Sequence, residues 1–128
     1  MAEQNATLRS IITATSVAAV DQTGEWIENE NYVGAHVVIE LSDAEGSTSA
    51  RKFSIEGKVP GSTSASYDLL VSAGITADGI TVMRVHPSIA AASNTAARDF
   101  LPTEWRVTST AVGAEKQSYR VDANLLSK

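Results

Sequence analysis

Hydrophobic and polar residues alternate along most of this chain. In VGAHVVIELS, Val33, Ala35, Val37, Ile39 and Leu41 fall on one face, with Gly34, His36, Glu40 and Ser42 on the other and Val38 the exception. A period of two with one apolar face marks a half-buried β-strand. RKFSIEGKV repeats the pattern, setting Phe53, Ile55 and Val59 against Lys52, Ser54, Glu56 and Lys58. The join between these runs, SDAEGSTSA, is small, polar and glycine-containing, as hairpin loops are.

A Pro-Gly turn signal opens PGSTSAS, and SYDLLVSAGI follows with Tyr67, Leu69, Val71 and Ala73 sharing a face. GITVMRVHP is apolar on both faces, Ile80 and Val82 against Met83 and Val85, which predicts a central strand or one packed by a neighbour. EWRVTSTAV points Trp105, Val107 and Ala111 inward, and QSYRVDANLL does so with Tyr119, Val121, Ala123 and Leu125. TLRSIITATSVAA opens the chain as a Thr- and Ile-rich strand, followed by a turn at Gly24 and a short EWIE piece. NTAARDFL, residues 94–101, predicts one or two helical turns, with Asn94 as N-cap and Pro102 as end signal.

Short strands separated by regular turns predict an all-β protein, an antiparallel β-sandwich or jelly roll of about seven or eight strands. Its 128 residues suit a single domain, 1–128, that buries roughly two-thirds of its unfolded surface. One feature departs from the regular spacing. Residues 87–102 form a long irregular connection of mostly small residues, Ala and Ser with Asn94, and a proline at each end. It reads as a crossover covering one end of the sandwich, as a segment that orders on a partner, or as both. Residues 1–8 are a second candidate contact arm.

Charge and composition narrow the function. Ten Lys and Arg among fifteen Asp and Glu, net -5, lack the basic surface that displaces counterions from nucleic acid. There is no cysteine, so disulfides, thiolate metal sites and cysteine nucleophiles are excluded. No apolar run approaches the roughly 20 residues of a membrane-spanning helix. MAEQNATLRS lacks a signal-peptide pattern, so synthesis in the cytoplasm is expected.

Specific chemistry is sparse. His36 and His86 form no H-x-H or H-x-x-x-H pair, and no further ligands accompany them at metal-site spacing. No G-x-S-x-G elbow occurs, which leaves a scattered triad built on His36 or His86 as the enzymatic alternative. The acidic stretches EWIENE and SDAEG lack the D-x-D-x-D-G order of a calcium loop. Isolated glycines give no phosphate loop. No cofactor and no metal is expected. Trp105, in phase with Val107, reads as a core anchor and Trp26 as the better surface aromatic. A non-enzymatic module acting through binding surface is the expectation.

The order NYVGAHVVIELSDAEGSTSARKFSIEGKVPGSTSASYDLLVSAGI, then GITVMRVHPSI…N…FLPTEWRV, then QSYRVDANLL resembles a set of small virion proteins of tailed bacteriophages. In those proteins a G-x-x-x-V strand precedes a hairpin of the kind KFSIEGKVPGS…YDLL; an RVHP…N…LPTEWRV-like segment and a closing YRVDANLL-like strand follow. The likeness covers residues 30–126 and is one of structural positions, with no catalytic motif. It implies a capsid decoration or cement protein that binds the major capsid protein lattice and stabilises the head. Its partners would be that lattice and neighbouring copies of itself, as a homo-oligomer such as a trimer, with no nucleic acid and no membrane. Its place would be the head surface of the virion, after synthesis in the host cytoplasm. Candidate partner contacts are Leu8, Trp26, Ile89, Asn94, Phe100 and Leu101. The alternatives are a tail or head–tail connector protein and a carbohydrate-binding β module using Trp26 or Tyr32.

Overall fold

The structure is a computed structural model that describes residues 6–17, 22–29, 31–42, 50–112 and 117–126. Its elements are β1 (Ala6–Val17), β2 (Gln22–Thr23), β3 (Ile27–Glu28), β4 (Gly34–Ser42), β5 (Ala50–Lys58), β6 (Ser66–Val71), β7 (Gly79–Val85), β8 (Ala96–Ala97), β9 (Glu104–Val112) and β10 (Gln117–Leu126). The first sheet runs β1-β10-β4-β7-β8, and the second β2-β9-β5-β6 with β3 also on β9. All pairings are antiparallel except β7 with β8.

The connectivity has a simple logic. β1 pairs β10, β2 and β3 pair β9, β4 pairs β7, and β5 pairs β6, like the rungs of one long hairpin whose tip is the loop after Lys58. Successive rungs go to opposite sheets, and β10 on β4 and β9 on β5 close each sheet. This is the jelly-roll form of the β-sandwich.

Alternation then builds the core. On β4, Ala35, Val37, Ile39 and Leu41 are buried, and on β10 their register partners Leu125, Ala123, Val121 and Tyr119 are buried too. Phe53 and Ile55 of β5 and Trp105 and Val107 of β9 supply the facing layer. Phe53 and Tyr119 meet across the sandwich edge to face, ring centres 5.2 Å apart, the arrangement that aromatic quadrupoles prefer. Arg51, in phase with Phe53, is also fully buried. Its Nη1 donates to Ser109 Oγ at 2.6 Å and its guanidinium lies 4.9 Å from the Tyr119 ring centre.

Two expectations change. Tyr67, Leu69 and Val71 do not share an inward face. Ile55 pairs with Leu70 but Glu56 with Asp68, so β6 carries one extra residue at a β-bulge. A bulge shifts the side-chain phase. Leu70 and Ser72 therefore face inward, and Tyr67, beyond the bulge, lies on that same side over Gly57, where its place at the sandwich end leaves it 43% exposed. Residues 94–101 form no helix. Asn94 has φ 63°, a left-handed turn conformation in place of an N-cap, and the Thr95 and Ala96 N–H groups both donate to Ala92 O. The segment has helix formers but no apolar stripe to bury, and tertiary context overrides weak propensity. Its carbonyls instead accept from the edge of β7, Thr95 O from Arg84 N–H and Ala97 O from His86 N–H.

Gly34 shows how closely strands and connections meet. A Cβ there would collide with the Val85 carbonyl oxygen and lie 3.3 Å from His86 Cα. Both neighbours are backbone and cannot swing aside. Gly34→Ala should therefore destabilise the fold by about 1–3 kcal/mol, the usual range for overpacking, read as a lower urea midpoint at unchanged m-value.

Candidate functional site

The connection 87–102 leaves the first sheet at β7 and enters the second at β9, so it crosses from one layer to the other. It is fastened at two places. At and past its midpoint, Asn94 Nδ2 donates to Val71 O of β6 at 2.9 Å and β8 lies parallel on Arg84 and Val85 of β7. That one stretch of chain thus holds an edge strand of each sheet. Edge strands expose unpaired N–H and C=O groups, and covering them is a standard protection.

At its end, Leu101 is buried in the core cluster and its N–H donates to Val33 O. Asn29 fixes the same point from the other side. Its Nδ2 donates to Tyr32 O at 2.7 Å and to Leu101 O at 3.1 Å, and its Oδ1 accepts from Tyr32 N–H. Between these anchors Phe100 is held outward, 64% exposed, directly beside buried Leu101. Ile89 is half-buried and Asn94 exposed. Of the candidate contacts in this segment, Phe100 is the large apolar side chain facing solvent. Leu101 belongs to the core, and Asn94 is occupied as a turn residue. The asparagine hub at position 29 gives no sign of itself in the sequence, because the partner that makes it a hub, Leu101, lies 72 residues away.

Leu8 stands in β1 opposite Asn124 of β10. Ala6 and Thr7, also within the stretch read as an arm, pair with Leu126 and Leu125, and residues 1–5 lie outside the described residues.

Trp26 sits on the outer face of the second sheet, half-buried. The Arg106 guanidinium lies 4.2 Å from its ring centre and Lys58 Nζ 6.0 Å away, both in cation–π range. Arg106 also donates to Glu56 Oε1 at 2.7 Å, and Lys58 approaches Glu104 at 3.3 Å. The register places Glu56 opposite Arg106 and so brings opposite charges together across the strands. A ring stacked by a guanidinium has less face to offer a sugar, which weighs against Trp26 as a glycan platform. Beside this ladder, Lys58, Val59, Pro60, Tyr67, Pro102 and Glu104 help to line an open groove of about 420 Å³ at the sandwich end.

The two histidines come together on the first sheet. His36 pairs with Arg84, and burial, then Arg84, then His86 lower its pKa below the ordinary 6.5. His86 Nδ1 accepts from Ser88 N–H at 3.0 Å. Among the described residues, no serine or threonine hydroxyl bonds to either histidine, and no three His, Asp or Glu side chains form a group able to hold a metal. The acidic stretch 43–46 lies outside the described residues. No protein-family model, no curated protein and no solved structure matches the chain.

Two measurements follow from this geometry. Asn29→Ala removes the shared anchor of the 29–33 and 101–103 strands of chain and should cost about 1–3 kcal/mol, with faster amide exchange at Leu101 and Val33. A histidine whose folded pKa lies below its unfolded one binds its proton more readily unfolded. Stability should therefore be full above pH 6.5 and fall as pH drops below 6.5 toward the folded pKa. His36→Gln should flatten that part of a pH series of melting temperatures.

Proposed function

We propose that the protein is a non-enzymatic virion structural protein of a tailed bacteriophage, a decoration protein that binds the capsid lattice and stabilises the head. The observation that carries this reading is the mounting of Phe100, a large apolar side chain 64% exposed, on a connection tied to both sheets and to the core. Exposed aromatics on rigid supports are the usual anchors of protein interfaces, since little side-chain freedom is lost on docking. A lattice also repeats the contact many times, so modest affinity at each site suffices.

The resemblance to phage virion proteins supports a capsid partner, and the positions that carry it are structural ones. Gly34 admits the Val85 backbone, Phe53, Ile55, Trp105 and Tyr119 fill the core, and Leu101 anchors the connection. The jelly roll itself is shared by viral capsid domains, lectins and cupins, so the fold supports the reading without selecting it.

The test mixes purified protein with capsids lacking it, followed by sedimentation and cryo-electron microscopy. Regular density on the shell, with Phe100 against a capsid subunit, is the expected result, and Phe100→Ser should weaken binding at least about tenfold while leaving the fold intact. Density on tails or free rings would move the protein to a tail or connector role, and binding unaffected by Phe100→Ser would remove Phe100 as the anchor.

A further inference from the structure

The outer face of the first sheet has its own apolar centre. Register places Ile80, Glu40 and Arg120 in one row across β7, β4 and β10, then Val82, Val38 and Asp122, then Arg84, His36 and Asn124. Ile80 is 68% exposed, and Val38 and Val82 are half-buried. Val38, Glu40, Ile80, Arg120 and Asp122 line a shallow groove of about 240 Å³. β7 is apolar on both faces, and only one of them meets the core of this chain.

We propose that a second copy of this chain covers that face, as a two-fold pair packed sheet on sheet. Charge argues for the occupant. The three strands carry Arg84 and Arg120 against Glu40 and Asp122 in these rows, a local balance of zero in a chain of net charge -5. Two acidic copies repel least across a neutral face.

Symmetry argues for it too. A two-fold axis lying in the interface and crossing the strands at the Val38 row places Val38 and Val82 on their own copies, and also Asp122, whose charge is met by Arg120 of its own strand at 3.0 Å. It also lays Glu40 over the partner copy's His36, next to that copy's Arg84, and Ile80 over the stem of Arg84. Isologous contacts need this self-complementarity. The opposite outer face lacks it: its ion pairs are closed within the chain and Trp26 lies under Arg106. The pairing does not depend on a capsid, and the test below contains none.

The experiment is sedimentation velocity of the full chain over a wide concentration range at neutral pH. A concentration-dependent dimer is expected. Ile80→Lys should raise its dissociation constant at least about tenfold, because it would set a cation against the partner copy's Arg84. Glu40→Arg should weaken it as well, and Glu40→Arg combined with Arg84→Glu should restore it. Circular dichroism shows whether each variant is folded. A wild-type chain that stays monomeric, an oligomer indifferent to Ile80→Lys, or a folded double variant no tighter than Glu40→Arg would each overturn the proposal.

Discussion

The pairings of β4 with β10 and of β5 with β9 set which side of each strand meets the core, and both ladders run without a slip. Side chains alternate with a period of two, so one displaced residue in either ladder would turn a whole apolar row to solvent. The irregularities fall in the outer pairings, between β1 and β10 and between β5 and β6. An uninterrupted centre is what lets Phe53 reach Tyr119 and lets Arg51 sit between the sheets against Ser109 and the Tyr119 ring. Burial of Tyr119 raises its phenol pKa above the ordinary 10.0 and keeps it neutral beside that guanidinium.

With the centre fixed, the margins had to be solved separately. β6 and β7 end their sheets on the same side of the sandwich, and the long connection closes part of that side with a two-residue parallel strand and one asparagine side chain. This accounts for its composition. Ala96 and Ala97 are small enough to lie along an edge without lifting off it, and Asn94 tolerates the left-handed φ the turn requires. The two prolines bracket a stretch whose ends must be stiff. A connection that looks idle in the sequence thus protects the open edge, and its exposed Phe100 is a by-product of anchoring Leu101 or a use made of it.

The class of fold was legible because the alternation on β4, β5, β9 and β10 is broken at few positions, such as Val38 and Arg51, and those strands form the paired centre of each sheet. The phase of β6 was not, since a bulge leaves no mark in a sequence until its partner strand is known. Arg51 was overlooked although it is in phase with Phe53, because a charged residue at an inward position is read as an interruption before its partners are visible. The helical reading of 94–101 rested on local propensity, and hydrogen bonds to β7 and β6 outweighed it. At the surface, Trp26 and Phe100 were legible as candidates by residue type. Their difference was not: one is stacked under Arg106 and the other is held free.

The two outer faces of the sandwich have been finished differently, and that asymmetry constrains any account of the molecule. On the second sheet, cross-strand carboxylates and cations satisfy one another and hold a tryptophan, so little there asks for a partner. On the first, Arg120 and Asp122 pair along one strand while Val38, Val82 and Ile80 stay apolar between them and Arg84. The pairs on the second sheet are part-buried, with Arg106 and Glu56 against each other and Arg106 against Trp26, so the ladder fastens β9 to β5 while leaving charge on that face. The sandwich then has one outer face whose charges pair within the chain and one with an exposed apolar centre, with Phe100 on the connection between the layers. On the proposed reading, that asymmetry is what would let the module join neighbours in a defined direction.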